Sequence, residues 1–147
     1  MKLEHIPVVV HRQSAPAARL SGHARVLLGE IAASLQKLLE HGESTTIDLL
    51  AMPLNAADLD WLRQQLGQGE ICITLNADGE STLQETSCPG VWWVQHHNPA
   101  GGVLSAFIEI TPVPDLVRAH QDDMHSGLER LTQRIVELTG PQGRVGE

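Results

Sequence analysis

Cys72, Cys88, His96 and His97 are the side chains in this sequence whose types could together hold a metal, since thiolates and imidazoles are the ordinary ligands of zinc and iron. Their spacing argues against a closed site. Structural zinc sites usually take two ligands from one turn, as in Cys-x-x-Cys, whereas Cys72 and Cys88 are sixteen residues apart and adjacent histidines on a strand point to opposite faces. His120 and His125 are five apart, a spacing that turns them away from a shared helix face. The neighbouring Asp122-Asp123 pair suits a helix first turn, where a negative charge complements the dipole. Nucleophile and phosphate motifs are missing as well: there is no Gly-x-Ser-x-Gly, His-Glu-x-x-His, Walker loop or Gly-x-Gly-x-x-Gly. Cys88 precedes Pro89-Gly90 with no Lys or Arg nearby in sequence to activate its thiol, and reads as a turn cysteine. The expectation is a non-enzyme without a cofactor or metal, and the alternative is a metal or cluster carrier using Cys72, Cys88 and His96.

The composition narrows the partners. Ten Lys and Arg against eighteen Asp and Glu leave a net charge of −8, a field that repels nucleic acid and anionic membranes. No apolar stretch approaches the roughly 18–20 residues that span a bilayer. Two cysteines are too few for a disulfide framework, and Met1-Lys2-Leu3-Glu4-His5 does not read as the start of a signal peptide, so the expected compartment is the cytoplasm.

The elements that must position any site follow from periodicity. Ile6–Val10 is a short apolar run, and Gln13–Ala18 loses all pattern, which makes residues 1–22 an N-terminal strand and linker. Leu27, Leu28, Ile31, Leu35, Leu38 and Leu39 place a stripe along a helix that Gly42 can stop. Thr45–Leu50 reads as a strand, then Asn55 caps a second helix with Leu59, Leu62 and Leu66 on its apolar face and Trp61 off centre. From Glu70 the period becomes two. Strands are predicted at Glu70–Leu75, Thr82–Thr86, Val91–Val94 and Val103–Ile110, with Asp78-Gly79 as a hairpin turn and Asn98–Gly102 as a longer loop. Leu128, Leu131, Ile135 and Leu138 mark a last helix before Gly140-Pro141. The reading is an α+β domain over residues 23–140, a mainly antiparallel β-sheet with helices packed on one face, followed by a frayed tail at 141–147.

Strand alternation groups Leu104, Ala106, Ile108 and Ile110 on one face, and Ile71, Ile73 and Leu75 likewise, so the sheet is expected to have one apolar side under the helices and one mixed side. Trp92 and Trp93 must project in opposite directions. One indole should then stand on the mixed side with Phe107, as an anchor for a partner together with the Pro89-Gly90 turn and His97. The same face could pair with a second copy across a two-fold axis.

The run from Leu83 to Val94, LQETSCPGVWWV, with Gln95-His96-His97-Asn98 and the later Ile108-Glu109-Ile110-Thr111-Pro112-Val113-Pro114, resembles the conserved region of the hydrogenase expression/formation protein HupH family, which includes HyaF. The similarity extends back through Leu66-Gly67-Gln68-Gly69-Glu70, Met52-Pro53-Leu54 and Ile47-Asp48-Leu49 to the first amphipathic helix. The resemblance implies a cytoplasmic accessory protein, a chaperone or scaffold for a nickel–iron uptake hydrogenase. Its implied partner is a hydrogenase structural subunit precursor or the iron–sulfur subunit. Many members of that family are about twice as long, with a further N-terminal region. No ligand role for Cys88 follows from the resemblance.

Overall fold

The computed structural model describes residues 19–140, so the predicted strand at Ile6–Val10 and the tail at 141–147 lie outside the described residues. The chain divides into two compact units, one up to Pro112 and one from Val113. In the first, helix α1 (His23–His41) leads to strand β1 (Thr45–Asp48), a single 3-10 turn at Leu49–Ala51, helix α2 (Ala56–Leu66) and strands β2 (Cys72–Asn76), β3 (Glu80–Glu85), β4 (Val91–His97) and β5 (Val103–Ile110). The strands form one antiparallel sheet in the order β1-β5-β4-β3-β2. The fold class is α+β, as the periodicity predicts.

Local chemistry explains the boundaries. Gly42 ends α1 in the left-handed region at φ 72°, with its N–H donating to the Leu38 carbonyl. Asn55 begins α2 with a reciprocal capping box: its side chain accepts from the Asp58 N–H while the Asp58 carboxylate accepts from the Asn55 N–H. The β2–β3 turn puts Asp78 at φ 56° and Gly79 at φ 111°, the two positive angles that a tight Asp-Gly hairpin requires. A Cβ on Gly79 would collide with the His97 carbonyl oxygen.

Register decides the faces. Ile47, Ile108, Trp93, Gln84 and Cys72 form one row across the sheet, and Asp48, Phe107, Val94, Leu83 and Ile73 form the next. The first row lies on the helix side, where Leu27 and Ile31 of α1 and Leu62 and Leu66 of α2 pack on Val91, Trp93, Ala106, Ile108 and Ile110. The second row points the other way and is apolar apart from Asp48 at its edge, with Leu83 and Val94 wholly buried. The expected division into one apolar and one mixed side is therefore corrected. Ile73 of β2 joins the Phe107 face rather than the Ile108 face, because pairing through β3 and β4 aligns it with Leu83 and Val94. Leu104, expected in the core, is 61% exposed near the start of β5.

The second unit holds a 3-10 turn at Asp115–Val117 and helix α3 (Gln121–Leu138), whose first turn carries Asp122 and Asp123 as predicted. None of the residues of α3 is buried. Met124, Leu128, Leu131, Ile135 and Leu138 recur at intervals of four and three along one face, and each is more than half exposed.

Candidate binding site

Trp92 and Trp93 are neighbours on β4 and, as alternation demands, lie on opposite faces of the sheet. The expectation that one of them stays available as an anchor fails. Their exposures are 3% and 4%, so both indoles are closed within a single chain. Trp92 shares the second face with the buried Leu83 and Val94, and its Nε1–H donates to the Thr111 carbonyl at 3.1 Å.

The other predicted contact residues are not gathered into one patch. Phe107 is half-buried on the second face, with its ring edge-on to the His96 imidazole at 6.1 Å. Pro89 is exposed, while Gly90, at φ 94°, packs toward Leu35 and Leu38 of α1 at the start of β4. His97 lies at the far end of β4, past a register irregularity, with Nδ1 3.3 Å from the Glu80 carbonyl oxygen.

The alternative metal set is likewise divided. Cys72 shares the helix-side row with Gln84 and Trp93, whereas His96 projects to the second face and its Nδ1 lies 2.7 Å from the Ser81 hydroxyl. Both cysteines are free and exposed, and among the described residues no three His, Cys, Asp or Glu side chains come together.

What the residue patterns do not disclose is a cleft of about 220 Å³ beside α2, lined by Arg63, Gly67, Gln68, Gln84, Thr86 and Trp93. Its floor is sheet and its rim is the end of the helix. The Arg63 guanidinium lies 4.7 Å from the Trp93 ring centre, a cation–π arrangement, and packing against protein pushes its pKa below the usual value. Gln84 is 8% exposed, with its carboxamide nitrogen directed to the Gly69, Ile71 and Glu85 carbonyls and its oxygen accepting from Gln68 at 3.2 Å. Trp93 Nε1 is buried without a hydrogen-bond partner. No local pattern marks this cleft, since Gln84 stands in a strand, Glu80–Glu85, whose one apolar residue is Leu83.

At the opposite end of α2, Asp58 is fully buried and accepts from the Ser21 N–H at 2.8 Å, the Ser21 hydroxyl at 2.7 Å and the Asn55 N–H at 2.9 Å. Those donors, the Ser21 backbone first, hold its carboxyl below the usual carboxylate range. Asn55 adds a bond from its side-chain nitrogen to the Arg19 carbonyl. No helix among the described residues is long and apolar enough to cross a membrane.

Comparison with known proteins bears directly on this architecture. The hydrogenase expression protein HupH from Thiobacillus denitrificans is 49% identical and superposes with a TM-score of 0.79, over 82% of this chain and 100% of that one. Among curated relatives, the hydrogenase expression/formation protein HoxQ of Azotobacter vinelandii is 36% identical over 119 residues, covering 77% of this chain and 41% of that one. HupQ of Azotobacter chroococcum is 27% identical over 145 residues, covering 90% of this chain and 51% of that one. The chain thus spans about half or less of the length of these curated relatives. Residues 22–138 match the model of the HupH hydrogenase expression protein, C-terminal conserved region, and the chain belongs to that family.

Proposed function

We propose that this chain is a cytoplasmic accessory protein in the maturation of a nickel–iron uptake hydrogenase, holding a precursor of a hydrogenase structural subunit rather than catalysing a reaction. The observation that carries the reading is the family match over residues 22–138, with relatives named as hydrogenase expression/formation proteins. A holding protein needs an apolar surface that a client can cover. The stripe of Met124, Leu128, Leu131, Ile135 and Leu138 on α3 is of that kind, and an amphipathic helix face laid into a client groove is a recurrent recognition mode. Phe107, Pro89, Gly90 and His97 supply further contacts in this reading, with Trp92 and Trp93 as rigid support beneath the surface. The charge of −8 favours a basic client at long range and weakens in salt.

The test is a pull-down with the tagged full chain from cells making hydrogenase, comparing precursor and processed subunits by mass spectrometry. Enrichment of a hydrogenase precursor supports the reading, and absence of every hydrogenase subunit overturns it. Sedimentation of the purified chain adds a second outcome: a dimer that Leu131→Asp dissolves would assign the α3 stripe to a second copy instead.

A further inference from the structure

The cleft between α2 and the sheet holds a single charged side chain, Arg63. Thr86 is spent within the protein, its hydroxyl donating toward the Val91 and Cys88 carbonyls and accepting from the Cys88 N–H. Gln84 is spent as well, with both ends of its carboxamide engaged. What remains is two donors, on Trp93 and Arg63, and the Gln68 carboxamide, which offers a hydrogen and an oxygen. Trp93 Nε1–H has no acceptor although the residue is 4% exposed, and among the described residues it is the buried side-chain polar atom left without a partner. A buried donor of this kind costs stability unless something fills it. The hydrogen bond from Arg63 to Gln95 Oε1 is a long one, 3.5 Å, and among the described residues no carboxylate is in ion-pair range of the guanidinium. Gln68 keeps a second amide hydrogen on the rim.

A site whose one charged side chain is a guanidinium without a carboxylate partner, beside a buried N–H without an acceptor, fits an acceptor-only group. Of the common ones, a carboxylate matches the planar fork of an arginine and carries a single charge, which the −8 of the chain opposes less than the double charge of a phosphate. The volume of about 220 Å³ admits a group of side-chain size. The Trp93 ring beneath the guanidinium holds the fork over the cleft. We infer that this cleft is a carboxylate-binding site in which Arg63 and the Trp93 indole N–H are the donors. This goes beyond the hydrogenase reading and stands without it. The carboxylate could belong to a chain end or to an acidic side chain.

The experiment follows the three indole N–H signals of the full chain by ¹H–¹⁵N NMR, with Trp93 assigned by W93F. The probes are N-acetylglycine, which presents a chain-end carboxylate, and N-acetylaspartate methylamide, which presents a side-chain one, each against sodium chloride at equal ionic strength. The expected result is a saturable shift of the Trp93 signal, with Trp61 and Trp92 still. The tighter probe identifies the source, and either supports the site. Arg63→Gln, at an exposed position, should keep the Trp61 and Trp92 signals of the folded chain and weaken binding by about tenfold or more. A Trp93 shift no larger than the chloride control, or binding unchanged in Arg63→Gln, overturns the inference.

Discussion

The Arg63 guanidinium stands 4.7 Å from the centre of the Trp93 ring, thirty positions away in sequence, and ties the end of α2 to the middle of the sheet. The contact covers a buried indole with a residue that faces water on its other side. Removing it by Arg63→Ala should cost about 0.5–1 kcal/mol in urea unfolding, the range of an exposed cation–π pair, with the slope of the transition unchanged.

Trp92 and Trp93 differ in one respect that substitution can read. Trp92 Nε1 has the Thr111 carbonyl and Trp93 Nε1 has nothing. W92F and W93F remove the same ring atoms, but only W92F breaks a hydrogen bond. W92F should therefore be the less stable variant by about 1 kcal/mol in chemical denaturation.

Asp58 makes stability acid-sensitive. Its folded pKa is depressed, so the charged form contributes stability that is fully present above the unfolded value of about 3.9 and is lost as pH falls through the lower folded value. At neutral pH, Asp58→Asn should melt below the parent chain. The gap should narrow as the buffer is taken from pH 5 toward pH 2, which thermal melts followed by circular dichroism would show.

Gly79→Ala should be among the more damaging single changes in a loop. It places a side chain at φ 111° and against the His97 carbonyl, so a loss of about 1–3 kcal/mol is expected in thermal unfolding, where Gly101→Ala, with open space around it, should lose less.

Leu131→Asp on α3 should leave the unfolding midpoint of the sheet unit where it is, because Leu131 is 60% exposed. The same change should abolish capture of a hydrogenase precursor in the pull-down. A mutation of similar polarity in the core, Leu62→Asp, should unfold the sheet unit instead, since Leu62 has no exposed surface.

The legibility of this fold in its residues was uneven for physical reasons. The stripe of Leu27 and Ile31, the Asn55 cap and the Asp78-Gly79 turn are local signals, and each element appears where its signal lies. The strand faces are different. Alternation told which residues of β2 share a side, but which side of the sheet that is depends on pairing through β3, and there Ile73 aligns with Leu83 rather than with the Ile108 row. The same limit governs the indoles. Their opposite directions follow from the pleat, whereas their covering depends on distant residues, and both turn out to be enclosed. The Arg63–Trp93 cleft joins a helix end to a central strand, a meeting that no periodicity encodes.

The Asp58 clamp has a practical corollary. Ser21 and Arg19 are fastened to the beginning of α2, so whatever polypeptide is spliced on ahead of them, an affinity handle or a reporter, departs from that fixed anchorage. Arg63 sits five residues further along the same rod, about 8 Å by helical rise. Any handle spliced directly ahead of Arg19 would therefore begin from the same rod that carries Arg63.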